Sequence, residues 1–215
     1  MILWIGPNRF PSRQAAVIFF QEILRKAELT DADETNLRHL LRLHPDARQK
    51  IGPGISHFTT LADGWGKKCF HVFRLDGTST DFSYLVCIHG APTHKYQVSQ
   101  AFRMVVRWDI LSLRDTYFEY LFDEPGKVAC MISGKLLSKS EGHMDHRPPW
   151  TFDKIVREFL HYKKLELPEI ELAPSQDNQI AYALANPTLG EEFRIYHNER
   201  ANLLFVTKAI NLSRR

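Results

Sequence analysis

An antiparallel hairpin is predicted by the stretch CFHVFRLDGTSTDFSYLVCI, residues 69–88. Apolar and polar side chains alternate on both sides of its centre, and this period of two is typical of half-buried strands. Asp76-Gly77 is a dipeptide that tight hairpin turns favour. We therefore expect strands over 68–75 and 80–88, joined by this turn and preceded by a strand over 55–61.

Helices are predicted on both sides of this sheet. Residues 13–29 place apolar side chains on one stripe after Ser12, a candidate N-cap. A second helix is expected from near Asp33 to a stop before Pro45, and a third over 95–122. The first half of the chain is therefore predicted to be a helix-flanked antiparallel sheet domain.

A domain boundary is predicted at Asp123-Glu124-Pro125-Gly126, where the helical pattern breaks. A strand over 127–132, a Ser133-Gly134 turn and a second strand that ends near Asp145 follow. Helices are expected over 150–162 and 188–200, before a last strand over 202–207. We expect an α+β fold with domains at 1–124 and 125–215.

Composition excludes several classes of protein. In a chain of 215 residues, 44% hydrophobic and 12% aromatic content suffices for a packed core. Apolar runs fall short of the ~20 residues of a membrane span, and the first residues do not resemble a signal peptide. Three cysteines at wide spacings argue against a disulfide framework and a zinc ribbon. We predict a cytoplasmic protein without a membrane partner, and its net charge of +3 permits a polyanionic one.

Asp145-His146 ends a predicted strand, Asn202 opens the last strand, and Asn211 follows that strand. This constellation resembles the HNH, or ββα-metal, nuclease motif. The resemblance implies that Asp145 and Asn211 hold Mg²⁺ or Mn²⁺, that His146 is the general base, and that Asn202 fixes the loop between the strands. A neutral imidazole can deprotonate water near pH 7, and a carboxylate with an amide carbonyl suits a hard divalent cation.

Two features near this motif bear on the resemblance. CMISGKLL, residues 130–137, resembles the first strand and turn of the nuclease family. Only one of the usual structural cysteines is present, so packing is expected to hold this hairpin. Compact family members join the two strands by a short loop, whereas residues 147–201 would here form a helical insertion.

Residues 33–122 resemble the domain of the plant "defective chloroplasts and leaves" (DCL) proteins. The resemblance lies in His44-Pro45, KIGPGI at 50–55 and the hairpin stretch already quoted. It implies nucleic-acid recognition and a link to ribosomal RNA maturation. Lys50, Trp65, Arg74 and Tyr84 are our candidates for nucleic-acid binding; alternatively, the aromatics are core residues and the cations lie on a solvated face.

We predict a metal-dependent endonuclease that acts on nucleic acid, with DNA favoured over RNA. The alternatives are a non-catalytic nucleic-acid-binding or ribosomal-RNA-processing factor, and a structural partner in a ribonucleoprotein. His143 is either a further metal or phosphate contact or an exposed strand residue, and His197 either approaches the metal or is structural. The sequence leaves open whether two chains pair as a homodimer.

Overall fold

The computed structural model describes residues 2–62, 66–179 and 181–213. Helices and antiparallel strands make up the chain, which confirms the α+β class. The chain forms two compact units, one of residues 1–93 with 175–180 and one of residues 94–174 with 181–215. This division differs from the expected boundary at residue 124, because the helical stretch that begins at residue 94 packs into the core of the second unit.

The first unit combines a short hairpin, helices and an antiparallel sheet. Its elements are β1 (Leu3–Ile5), β2 (Asn8–Phe10), α1 (Arg13–Arg25), α2 (Asp31–Leu41), α3 (Ala47–Ile51), β3 (Ile55–Ala62), β4 (Lys68–Arg74), β5 (Ser79–Phe82) and α4 (Tyr84–His89). The sheet has the order β3-β4-β5. The Asp76-Gly77 turn is confirmed, since Asp76 Oδ1 accepts a hydrogen bond from Thr78 N at 3.0 Å.

Side-chain caps begin the first two helices. Ser12 Oγ accepts from Ala15 N at 3.1 Å, which confirms it as the N-cap of α1. Thr30 and Asp33 form a reciprocal capping box at α2. Asp33 is buried and paired with Lys26 at 2.8 Å, and this pairing fixes the end of α1 close to the start of α2.

The strand predicted over 80–88 ends early, because its second half is the helix α4. Ser83 Oγ accepts from Val86 N at 3.4 Å and caps this helix. Cys87 and Ile88 then turn into the core of the first unit. The alternating pattern predicted a strand here, but the serine cap and the burial of two consecutive side chains favour a helical turn.

The second unit carries the remaining elements. They are α5 (His94–Val105), α6 (Arg107–Tyr120), β6 (Lys127–Ala129), β7 (Leu136–Ser138), β8 (Gly142–His146), α7 (Phe152–Lys163), a 3₁₀ turn (Leu167–Glu169), α8 (Pro187–Arg200), β9 (Leu203–Thr207) and α9 (Lys208–Ser213). The helix predicted over 95–122 is broken at Val106, which is buried and has φ −96° and ψ 0°. Within the described residues, no helix is both long and apolar enough to cross a membrane.

The strands of the second unit form two separate antiparallel pairs, β6 with β7 and β8 with β9. We expected one hairpin that ends near Asp145. Instead the chain turns again after Ser138, where the Glu141 carboxylate accepts from Ser138 N at 2.9 Å and from Ser138 Oγ at 2.7 Å. This second turn releases β8 to pair with β9, so that Asp145 lies opposite Leu204 and His146 opposite Leu203.

Gly142, the first residue of β8, lies against the buried ring of Phe205. A Cβ at this position would lie 1.9 Å from Phe205 Cζ. The ring itself is fully enclosed and meets Phe118 of α6 edge to face, with centroids 5.4 Å apart. The close approach of β8 to this ring therefore requires glycine at position 142.

We expect Gly142→Ala to lower the free energy of unfolding by about 1–3 kcal/mol, because the added methyl must displace a packed aromatic ring. Chemical denaturation would measure the change. Gly190→Ala in α8 is the matched control, since its added methyl meets Val105 Cγ2 at 3.4 Å and alanine favours a helix. Equal stabilities of Gly142→Ala and the unmodified protein would contradict this account of the strand pair.

Candidate functional site

A pocket of about 790 Å³ in the second unit is lined by Asp145, His146 and Asn211. These are three of the four residues that the sequence singled out for cleavage. The other walls come from α5, from residues 148–151 and from the first turn of α7. The structure thus brings together side chains that are 65 and 66 positions apart, 211 − 146 and 211 − 145.

Strand pairing explains how these residues meet. Asp145 and His146 are the last two residues of β8, which pairs with β9. The helix α9 starts immediately after β9 and packs against both strands. Asn211, in the middle of α9, is therefore carried back toward the end of β8.

The amide of Asn211 is oriented by His143. Its Nδ2 lies 3.0 Å from His143 Nδ1. An amide nitrogen is a donor only, so His143 Nδ1 must carry the lone pair that accepts this hydrogen bond. The carbonyl oxygen of Asn211 therefore points away from the His143 ring. The sequence left two roles open for His143, a metal or phosphate contact and an exposed strand residue. The structure shows a partly buried residue that orients Asn211.

His146 is half-buried beside two other rings. Its ring meets Phe152 edge to face at 5.4 Å, and its Nε2 lies 2.8 Å from Nε2 of His197. Burial, together with the nearby His197 and Arg103, lowers the pKa of His146 to about 3. The ring is therefore neutral near pH 7, the form that can accept a proton.

The remaining predicted residue, Asn202, acts through its main chain. It is exposed, and its carbonyl oxygen accepts from Arg147 N at 2.9 Å, which extends the β8–β9 pairing by one step. We expected its side chain to fix the loop between the strands. The bond that the structure shows at this position is a backbone bond.

The pocket offers oxygen atoms for a hard cation. Asp145 supplies a carboxylate and Asn211 an amide oxygen. Mg²⁺ is commonly held by one or two carboxylates, with water and substrate phosphate in the other positions, so these residues fit that ion. Among the described residues, no group of three or more His, Cys, Asp or Glu side chains could hold a metal. The donor set is therefore unlike that of a structural zinc site.

Backbone hydrogen bonds close the turn at Cys130. Gly134 N donates to Cys130 O and Cys130 N to Lys135 O, each at 2.8 Å. The thiol is buried, which opposes ionisation, but hydrogen bonds from Ser133 and neighbouring backbone outweigh this and lower its pKa to about 7. Hydrogen bonds and packing thus stabilise the hairpin whose sequence, residues 130–137, resembles the nuclease family.

Sequence reasoning missed one wall of the pocket, a polar face of α5. Tyr96, Ser99, Gln100 and Arg103 line it at helical spacing, opposite the buried side of the helix. The Arg103 guanidinium lies 4.0 Å from the centre of the Phe152 ring. The signal was present in the sequence, but we used the periodicity of α5 only to find its apolar face.

Arg74, one of the nucleic-acid-binding candidates, is buried in the first unit. Its guanidinium donates two hydrogen bonds to the Asp177 carboxylate, at 2.8 and 2.9 Å, and Nε donates to Lys50 O at 2.9 Å. The ion pair with Asp177 raises the pKa of Arg74. Its role here is structural, because contact with a phosphate would require release of Asp177.

The other first-unit candidates also make internal contacts. Lys50 Nζ donates to Asp81 O at 2.6 Å, and Tyr84 packs its ring edge to face on Phe70. Trp65 lies outside the described residues. Binding of nucleic acid by this group stays a prediction.

The family match lies in the first unit. Residues 19–88 match a family model described as "Protein of unknown function (DUF3223)". A stretch of 64 residues is 42% identical to DNA-directed RNA polymerase IV subunit 1 of Arabidopsis thaliana, over 29% of this chain and 4% of that protein. A stretch of 68 residues is 38% identical to the chloroplastic protein DCL of Solanum lycopersicum, over 31% of this chain and 30% of that protein.

An uncharacterised protein of Rhodospirillum rubrum, solved by NMR in solution, is 31% identical and has a TM-score of 0.38, over 40% of this chain and 86% of that one. The chain spans less than a third of either curated relative described above. The family match covers α2 to α4, with the three-stranded sheet and its Asp-Gly turn. Residues 19–88 thus carry a DUF3223 domain that is similar to the domain of the DCL proteins.

Proposed function

We propose that the second unit is a metal-dependent endonuclease that hydrolyses phosphodiester bonds in nucleic acid. One observation carries the proposal: the pairing of β8 with β9, followed by α9, sets Asp145, His146 and Asn211 around one pocket. This strand-strand-helix order is the one that the ββα-metal nuclease resemblance implies. The three side chains supply a carboxylate, a neutral imidazole and an amide.

In this proposal Asp145 and Asn211 hold Mg²⁺ or Mn²⁺. When bound, the ion would neutralise charge on the phosphate oxygens and on the leaving oxygen. His146 takes a proton from the attacking water, the water oxygen forms the new bond to phosphorus, and the bond to one ester oxygen breaks. The low pKa of the ligand-free ring makes His146 a weak base, and a phosphate anion nearby would raise that pKa by favouring the imidazolium.

The α5 face suits a nucleic-acid backbone. Arg103 supplies a positive charge at the wall of the pocket, where it also pairs with the exposed Asp153 at 3.3 Å. Tyr96, 52% exposed, offers an aromatic ring on which a base can stack. One relative of the chain is named as a subunit of a DNA-directed RNA polymerase. We therefore keep DNA as the favoured substrate and RNA as the comparison.

We expect His146→Gln to lower cleavage of plasmid DNA by about 10²–10⁴-fold, the usual loss for a general base. Glutamine can still donate a hydrogen bond to His197, so the pocket keeps its packing while losing the proton acceptor. His161→Gln, an exposed histidine on α7, is the matched control. Full activity of the His146 variant, with the same circular dichroism, would exclude His146 as the base.

A second expectation concerns the metal. EDTA should abolish cleavage, and added Mg²⁺ or Mn²⁺ should restore it in the unmodified protein. Asp145→Asn should respond only at higher metal concentration, because one charged ligand is lost. Cleavage that persists in EDTA would contradict a metal-dependent mechanism. Parallel assays with DNA and RNA substrates of matched sequence would decide between the two nucleic acids.

A non-catalytic nucleic-acid-binding factor is the second candidate, with ribosomal RNA processing as one such role. It is favoured by the position of the family match, which lies entirely in the first unit. Salt-sensitive binding of DNA or RNA by the full chain, without cleavage under any metal condition, would support it over the nuclease.

A further inference from the structure

A chain of hydrogen bonds runs from α6 through α8 to the end of β8. Asn198 Nδ2 donates to Asp109 Oδ2 at 2.6 Å, and Asn198 Oδ1 lies 3.0 Å from His197 Nδ1. His197 Nε2 in turn lies 2.8 Å from His146 Nε2. The order is therefore Asp109, Asn198, His197, His146, and all four residues belong to the second unit.

Donor and acceptor rules give this chain one direction. An ionised carboxylate only accepts, so the atom of Asn198 that faces Asp109 must be its nitrogen. The amide oxygen then faces His197 and accepts from Nδ1–H. In a neutral ring the other nitrogen carries the lone pair, so His197 Nε2 accepts and His146 Nε2 must donate.

Two observations support this direction of the hydrogen bonds. Asp109 Oδ2 accepts a hydrogen bond from Arg194 Nη1 at 3.2 Å as well as the one from Asn198, so its carboxylate faces donors on both sides. His197 is 1% exposed, and burial lowers its pKa, so its ring is neutral near pH 7. A neutral His197 cannot donate from both nitrogens, which leaves the lone pair at Nε2.

We infer that Asp109, Asn198 and His197 are positioning residues that lock His146 in the Nε2–H tautomer, so that Nδ1 is its proton-accepting atom. The catalytic consequence of this inference rests on the proposed nuclease function, whereas the tautomer itself does not. Sequence reasoning left His197 open between a metal approach and a structural role. The structure assigns it to the orientation of His146.

Long-range ¹H–¹⁵N correlation spectra of the full chain test the inference directly. In the unmodified protein, His146 should show a pyridine-like Nδ1 and a pyrrole-like Nε2, and His197 the reverse; the His146→Gln variant identifies the signals. A pyrrole-like Nδ1 in His146 would overturn the inference, whether or not the protein cleaves nucleic acid. The predicted tautomers without cleavage would overturn the proposed function alone.

A substitution at Asp109, the first residue of the hydrogen-bond chain, should allow its donors and acceptors to reverse. Asp109→Asn gives the end residue a donor as well as an acceptor, so the Asn198 amide can reverse and His146 should become a mixture of tautomers. Glu191→Gln is the matched control, because Glu191 is the other carboxylate on Arg194, at 2.7 Å, and lies off the chain. An unchanged His146 tautomer in Asp109→Asn would contradict control from Asp109.

Two variants of His197 separate positioning from packing. Glutamine can accept from His146 with Oε1 and donate to Asn198 with Nε2, so His197→Gln should keep the His146 tautomer and most of the cleavage. His197→Leu fills the space without an acceptor, so the tautomer should become mixed. Cleavage should then fall with the fraction of His146 rings that keep the Nε2–H form, by about twofold for an even mixture. Equal tautomer ratios in the two variants would show a packing role only.

Discussion

The antiparallel pairing of β8 with β9 is the constraint on which the candidate site depends. These strands are separated in sequence by residues 147–202, yet their register puts His146 opposite Leu203 and Gly142 opposite Thr207. The pairing requires a residue without a side chain at Gly142, because Phe205 occupies that space. Because no linker follows Thr207, α9 must start beside Gly142, the first residue of β8. It packs against both strands, which sets the position of Asn211.

The insertion between these strands does more than connect them, because it also contributes residues to the site. It supplies α7, whose Phe152 packs on the His146 ring, and α8, whose His197 contacts the same ring. The aromatic cluster of α5, α7 and α8 holds both helices, with Phe102, Phe159 and Phe193 fully buried. A compact ββα motif joined by a short loop would leave the corresponding histidine without this enclosure.

Sequence reasoning succeeded where one local signal decides the structure. Asp76-Gly77 predicted a turn, and Ser12 predicted a helix cap. In both cases the side chain accepts a hydrogen bond from a backbone N–H two or three residues further along the chain. It also identified Asp145, His146 and Asn211, whose proximity the structure shows. These residues were found because their chemistry and order resembled a known motif.

The remaining features depend on contacts that are distant in sequence. From the sequence we interpreted Arg74 as a surface cation, because its partner Asp177 lies 103 positions away. The same distance hid the first unit's use of residues 175–180. The local pattern alone suggested a hairpin of residues 127–132 with the strand that ends near Asp145, because strand periodicity shows which faces are buried but not which strand lies alongside. The nuclease resemblance instead implied the pairing with the strand after Asn202 that the structure shows.

We propose that Asp145 and Asn211 form one metal site beside His146. Paramagnetic broadening by Mn²⁺, measured on backbone amide resonances of the full chain, tests this most directly. We expect broadening that is strongest around residues 143–146 and 209–213 and that Asp145→Asn greatly reduces. Broadening centred elsewhere, or equal in the two proteins, would contradict the account.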